Sequence, residues 1–97
     1  FKSKSGYGRL YAAWQRGDVG VGYRNNALFA LGLWLKCRSG GALGLAEIRD
    51  RLELGRLRCG TPENEFASTL ESALKSKYSQ PLTRKKLGDW GLLGFGQ

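Results

Sequence analysis

The longest apolar run of the chain lies near its middle and predicts a buried central helix. The nine residues from Ala27 to Leu35 are all apolar or glycine, and charge returns only at Lys36 and Arg38. A helix with one exposed side would carry polar residues every three or four positions. We therefore expect the stretch of residues 22–37 to contain a helix that is covered on nearly all sides and packs against the other helices.

A polar segment, Arg24-Asn25-Asn26, precedes this run. Asn is a favoured N-cap because its side chain accepts a hydrogen bond from the first turn, so the helix is expected to begin near Asn25 or Asn26. Capping uses one Asn. The other Asn and Arg24 would stand at the positive end of the helix dipole, which suits a phosphate. Gly32 costs about 1 kcal/mol relative to Ala inside a helix, which close approach of a neighbouring helix would explain.

One-sided patterns on both sides of the central helix predict two more helices, at residues 9–16 and 44–57. In each, apolar residues recur at three- or four-residue spacing and face the core. Trp14 lies on the apolar face, so we expect it inside. The inward residues are Leu10, Ala13 and Trp14 in the first helix, and Leu45, Ile48, Leu52 and, less regularly, Leu57 in the second.

Thr61-Pro62-Glu63 is the clearest helix start. Thr61 is expected to cap, Pro62 to take the first helical position and Glu63 to favour the dipole. This helix should run to about Tyr78, with Phe66, Leu70 and Leu74 inward.

A short basic helix is predicted after the break at Pro81, with Thr83 as its cap. Its first turn, Arg84-Lys85-Lys86, opposes the helix dipole, and this misfit favours a functional role. Leu87, Trp90 and Leu93 would form its docking stripe. The predicted fold class is all-α, a small bundle of four to five helices with a basic C-terminal helix.

Charge indicates a polyanionic partner. The 97 residues make one small domain with 16 Lys and Arg, 8 Asp and Glu, and a net charge of +8. Nucleic acid is the simplest such partner, and solubility of a small domain is the alternative. Arg49 and Glu53 can pair on one helix, whereas Arg56 and Arg58 are predicted to have no nearby acid. The predicted DNA-contacting residues are Arg24, Asn25, Asn26, Lys36, Arg38, Arg56, Arg58, Arg84, Lys85 and Lys86.

Catalytic and metal chemistry find little support in the sequence. Cys37 and Cys59 are the only cysteines and there is no His, so a zinc site cannot be completed, and free half-buried thiols are expected. Residues 17–22 are glycine-rich but lack the Lys-Ser/Thr of a phosphate loop, which favours a turn. The acidic residues do not form the carboxylate group that phosphoryl transfer needs. We expect no catalytic residue, cofactor or metal ion.

The ends of the chain suggest a piece of a longer protein, because it begins at Phe1 and contains no methionine. Residues 1–8 are basic and rich in Gly and Ser, which predicts a linker or arm. No segment is long and apolar enough to span a bilayer, and nothing resembles a signal peptide. A cytoplasmic protein without membrane contact is therefore expected.

The central stretch resembles the primase C-terminal (PriCT) domain family. Members follow the catalytic core in plasmid replication-initiator primases, including those of small colicin plasmids, and in related phage and archaeal-plasmid primase-polymerases. The resemblance covers about residues 9–79. The matching residues are Gly22, Arg24, Asn25, Asn26, Leu28, Phe29, Leu31 and Leu35, then Pro62-Glu63-Asn64-Glu65-Phe66, Ser68, Ser72 and Tyr78.

The resemblance implies a non-catalytic, helical DNA-binding module in the bacterial cytoplasm that works beside an N-terminal primase catalytic domain of the same chain. The domain organisation is then an arm (1–8), the DNA-binding domain (9–79), and a short helix with a tail (80–97). Origin duplex DNA is the expected ligand. Single-stranded template or an initiating nucleotide is one alternative. RNA is another, with Tyr7, Tyr11, Trp14 and Tyr23 stacking on bases if they are exposed.

Overall fold

The computed structural model describes residues 7–76, 78 and 80–93, and all regular structure within these ranges is helical. This confirms the predicted all-α bundle with a basic C-terminal helix. Residues 1–6 of the predicted arm and 94–97 of the predicted tail lie outside the described residues. The helices are α1 (Tyr7–Arg16), α2 (Arg24–Arg38), α3 (Leu45–Cys59), α4 (Glu63–Lys75) and α5 (Arg84–Asp89), with a short 3-10 helix (Val21–Tyr23) before α2.

Helix α2 is the buried centre of the bundle, as its apolar run predicts. It packs most extensively against α4 and also touches α1 and α3. A Cβ on Gly32 would lie only 2.8 Å from Leu70 Cδ2 and 3.5 Å from Ala73 Cβ, both on α4. The expected close approach at Gly32 is therefore confirmed. The buried residues of α2 are Ala27, Leu28, Ala30, Leu31, Gly32, Leu33, Trp34 and Leu35.

Trp14 fixes the contact between α1 and α3. Its side chain is fully buried, as predicted, and its Nε1–H donates to the Leu52 carbonyl at 2.9 Å. A Cβ on Gly55 would stand 2.2 Å from Trp14 Cδ1 and 2.5 Å from the Trp14 carbonyl oxygen, so only glycine fits there. The predicted inward position of Leu57 is wrong, because this residue lies on the outer side of α3 and is 61% exposed.

Two predicted helix starts are displaced. The 3-10 helix, closed by a Tyr23 N–H to Gly20 C=O bond of 3.0 Å, leads directly into α2 at Arg24. Asn25 and Asn26 therefore lie in the first turn, exposed, and the prediction that one of them is the N-cap is wrong.

The start of α4 differs in the same way. Pro62, not Thr61, is the residue before the helix, and no side chain caps it. Thr61 is buried, and its Oγ1 has no hydrogen-bond partner among the described residues, so its predicted capping role is also wrong. The helix ends at Lys75, short of the predicted end at Tyr78.

Helix α5 is anchored to the body by apolar residues on and around it. Thr83 caps it as predicted, its Oγ1 accepting the Lys86 N–H at 3.2 Å. Leu82, Leu87 and Leu92 are buried, and Trp90 meets Phe29 of α2 at an angle with ring centres 6.0 Å apart. The docking stripe is thus partly as predicted, with Leu92 more deeply buried than Leu93.

Tyr7, at the start of α1, also contacts the residues that lead into α5. Tyr7, which was predicted to lie in the arm, is buried and stacks on Trp34 with ring centres 5.4 Å apart. Its hydroxyl donates to the Leu82 carbonyl at 3.0 Å, and burial raises the pKa of this phenol well above its ordinary value. Across the described part of the chain, no helix has the length and apolarity to cross a membrane.

Candidate nucleic-acid interface

Arg24 is turned inward at the start of α2. Its Nη1 donates to the carbonyls of Gly60 at 3.1 Å and Cys59 at 3.4 Å, and its Nη2 lies 3.8 Å from Glu65 Oε2. Its side chain is only 15% exposed. Arg24 therefore ties α2 to the turn between α3 and α4, although the sequence made it the first choice for a phosphate contact.

Two other predicted DNA contacts hold helix ends in the same manner. Lys36 Nζ donates to the Leu74 carbonyl at 3.1 Å and approaches that of Ser76 at 3.5 Å, at the end of α4. Arg58 donates to the Gln15 carbonyl at 3.1 Å, at the end of α1. The last carbonyls of a helix lack intrahelical partners, so a cation from a neighbouring helix satisfies them.

Arg56 is paired with acids, which overturns the prediction that it has none nearby. It donates to both oxygens of Glu53, at 2.7 and 3.0 Å, and lies 3.6 Å from Glu63 of α4. Glu53 stands one helical turn earlier on α3, within reach of the guanidinium. This hydrogen bond lowers the pKa of Glu53 and raises the pKa of Arg56. The expected Arg49–Glu53 pair is replaced, because Arg49 bonds with Glu63.

Arg38 and the two asparagines remain on the surface. The Arg38 guanidinium lies 5.3 Å from the ring centre of Trp34, a cation–π arrangement. Arg38 also lines a shallow depression together with Arg51, a residue that was not selected from the sequence. Asn25 and Asn26 are exposed in the first turn of α2.

Helix α5 carries the outward-facing basic cluster. Arg84, Lys85 and Lys86 are all exposed, side by side in its first turn. Lys85 and Lys86 also line a groove of about 560 Å³ beside the helix, which we call the α5 groove. Among its lining residues Asp89 is the one acid. The α5 groove is lined by Tyr78, Gln80, Pro81, Leu82, Thr83, Lys85, Lys86 and Asp89.

Tyr78 also lines this groove, and it is not among the DNA contacts predicted from the sequence. It is 44% exposed, and its ring meets Phe29 nearly at right angles with centres 6.5 Å apart. It was predicted to end α4, but α4 ends at Lys75, so Tyr78 stands in the segment before Pro81. The sequence signal that could have indicated Tyr78 is its place as an aromatic residue between α4 and the basic first turn of α5.

The aromatic residues considered for RNA stacking are mostly internal. Tyr7 and Trp14 are buried and Tyr11 is half-buried, whereas Tyr23 is 45% exposed. Trp14 and Tyr7 therefore serve the core.

The two cysteines and the acidic residues were considered for metal binding. Cys37 and Cys59 are free, half-buried thiols, and burial raises the pKa of each. Within the described ranges, no three His, Cys, Asp or Glu side chains come together as a metal site would require.

Comparison with known proteins found no relative: no protein-family model, curated protein or solved structure matches the chain. The resemblance to PriCT domains stays a prediction from the residues themselves.

Proposed function

We propose that this chain is a non-catalytic DNA-binding domain of a plasmid replication initiator or primase, with α5 as its main contact surface. The observation that carries the proposal is the contrast in how cations are used. Arg24, Lys36 and Arg56 are half-buried and bond to backbone carbonyls or carboxylates of the bundle, whereas Arg84, Lys85 and Lys86 are all exposed, side by side in one turn of α5. Clustered exposed cations are the electrostatic footprint of nucleic-acid binding.

The anchoring of α5 supports this role. Leu82, Leu87 and Leu92 are buried on and around the helix, and Thr83 caps it. Contacts held on a rigid element need little ordering when a ligand binds. The basic cluster is thus presented at a fixed place on the bundle.

The primase context rests on the resemblance to PriCT domains. Phosphoryl transfer needs grouped metal-binding acids. Glu53 instead bonds with Arg56, and Glu63 with Arg49. We assign the chemistry to an N-terminal catalytic domain of the same chain and the holding of DNA to this domain.

The test is DNA affinity as a function of salt for a triple variant, Arg84→Ala with Lys85→Ala and Lys86→Ala. Removing one phosphate contact lowers the slope of log K against log salt by about 0.9 on duplex DNA and about 0.7 on single strands. Removing three such contacts should lower the slope by about 2 to 3, with the melting temperature unchanged.

The matched control removes the same charge from three cations on other helices or turns of the bundle. It combines Arg16→Ala, Arg49→Ala and Lys75→Ala, whose partners are Asp18, Glu63 and Glu71. We expect its slope to stay close to wild type. Equal slopes for the two triple variants would mean that net charge alone governs binding, and the proposal of an α5 surface would fail.

A further inference from the structure

We infer that the α5 groove binds single-stranded DNA, with a base stacked on Tyr78 and phosphates held by Lys85 and Lys86. The inference rests on the proposed function and names the form of DNA that this surface takes. It gives the groove a ligand different from the origin duplex expected from the sequence.

Tyr78 is exposed, and its contact with Phe29 leaves at least one ring face outside that contact. Its contact with Phe29 is nearly perpendicular, at 83°, and such a contact uses at most one face of the ring. With 44% of the residue exposed, a face of the ring can receive a planar group from the groove. A nucleobase is the planar group that comes with phosphates attached.

The chemistry around Tyr78 matches a single strand. Proteins that bind single strands combine a basic groove along the backbone with aromatic side chains on which bases stack. Lys85, Lys86 and Tyr78 supply both features in one groove. In a duplex the bases are stacked on each other, so the ring would find no free base face, and it would contribute nothing to affinity.

The floor of the groove is fixed to the body of the bundle. Leu82 is buried and its carbonyl accepts the Tyr7 hydroxyl at 3.0 Å. Thr83, the next residue, binds the backbone of Lys86. Leu82 and the first turn of α5 with its lysines are therefore held in place before a strand arrives, which reduces the ordering cost of binding.

Asp89 sets a direction within the groove. It lines the same groove as the lysines but carries the opposite charge. Phosphates should lie toward Lys85 and Lys86 and away from Asp89. Asp89→Asn should therefore tighten binding of a single strand by a few-fold at low salt.

The decisive experiment measures binding of the chain to oligo-dT of about ten nucleotides, the size of a typical single-strand site, and to a hairpin duplex. Tyr78→Ala should weaken oligo-dT binding by about 5- to 100-fold, the loss expected for one stacked base. It should change duplex binding by less than about twofold. Tyr78→Phe keeps the ring and should bind like wild type.

Tyr23→Ala is the matched control, because Tyr23 has nearly the same exposure as Tyr78, 45% against 44%, and does not line the groove. It should leave oligo-dT affinity unchanged. Melting temperatures of all variants establish that they are folded. If Tyr78→Ala lowers the melting temperature, the comparison of Tyr78→Phe with a Tyr78→Leu variant replaces it, because both keep an apolar side chain and only Phe keeps the ring.

The outcomes separate this inference from the proposed function. If Tyr78→Ala leaves oligo-dT affinity unchanged, or weakens duplex binding equally, the inference is overturned. The proposed function still stands in that case, provided that the α5 triple variant lowers the salt slope. If neither the ring nor the α5 cations affect DNA binding, both proposals fall.

Discussion

Two regions of the bundle use basic side chains in opposite ways. One is the junction where α2 meets α3 and α4, and the other is the first turn of α5. At the junction, Arg24 and Arg56 donate to carbonyls and carboxylates of the bundle, and their side chains are only 15% and 14% exposed. On α5, the three cations are exposed beside a groove with a single acid among its lining residues. A cation that already has several partners gives up those bonds if it moves to a phosphate.

Helix ends explain much of this difference. Arg24, Lys36 and Arg58 meet the last carbonyls of α3, α4 and α1, which lack partners within their own helices. The cations of α5 stand at the opposite kind of end, an N-terminal turn that has N–H groups instead of free carbonyls. Some basic side chains of a helical bundle therefore bond to the bundle's own helix ends. Its net charge then overstates the number of cations that can contact a ligand.

The largest expected effect is a loss of folding stability on substitution in the core of the bundle that carries both regions. Gly55→Ala should lower the free energy of unfolding by about 3 kcal/mol or more, because the new Cβ meets the Trp14 ring and its carbonyl. Urea unfolding measures it. Gly20→Ala is the control, since nothing lies within 4 Å of its Cβ position and its backbone is extended. A cost of less than about 1 kcal/mol at Gly55 would contradict the packing described.

The next largest effect tests the claim that Arg24 at the helix junction stabilises the fold and does not contact DNA. Arg24→Ala should lower the free energy of unfolding by about 2 kcal/mol, because it removes hydrogen bonds from a charged, half-buried side chain to the carbonyls of Cys59 and Gly60. The salt slope of DNA binding should stay the same. Asn64→Ala, at an exposed position in the first turn of α4, serves as control for both measurements. A slope lowered by about 1 with stability unchanged would make Arg24 a DNA contact and break the comparison.

A smaller effect tests the exposed first turn of α5 at a single residue, Arg84. Arg84→Ala should reduce the salt slope of DNA binding by about 1 and change the free energy of unfolding by less than about 0.5 kcal/mol. Lys75→Ala removes another exposed cation, one that bonds with Glu71, and it should leave the slope unchanged. An unchanged slope for Arg84→Ala would remove that residue from the footprint.

The smallest effect concerns pH. The hydrogen bond from Arg56 lowers the pKa of Glu53 in the folded protein below its ordinary value of about 4.3. Between the pKa of Glu53 in the folded protein and its pKa in the unfolded chain, the unfolded chain binds more protons, so the free energy of unfolding rises with pH. This stabilisation is lost as the pH falls through the pKa of the folded protein. Urea unfolding from about pH 2 to pH 6 should show this slope, and Glu53→Gln should reduce it without removing it, because the hydrogen bond from Lys75 also lowers the pKa of Glu71. Arg56→Gln should reduce the slope in the same window, and an unaltered profile in both variants would contradict the pairing.

Local pattern was enough for the framework of the fold. The unbroken apolar run places α2 at the centre, and the spacing of Leu10, Ala13 and Trp14 gives α1 its inward face, because helical periodicity depends only on near neighbours in sequence. The Thr83 cap was predictable for the same reason, since a cap and its partner lie three residues apart. Gly32 was foreseen as a close approach, but its partner helix was not.

Tertiary structure decided which side chains are left for a ligand. The carbonyls that hold Arg24, Lys36 and Arg58 lie 35 to 43 residues away in sequence, and no periodicity records that distance. The need for Gly55 depends on where Trp14 of another helix comes to rest. Tyr78 lies beside the α5 lysines because the chain leaves α4 early and Leu82 is buried in the bundle. Helix formation is local in sequence, whereas partners for long charged side chains are chosen by packing among helices.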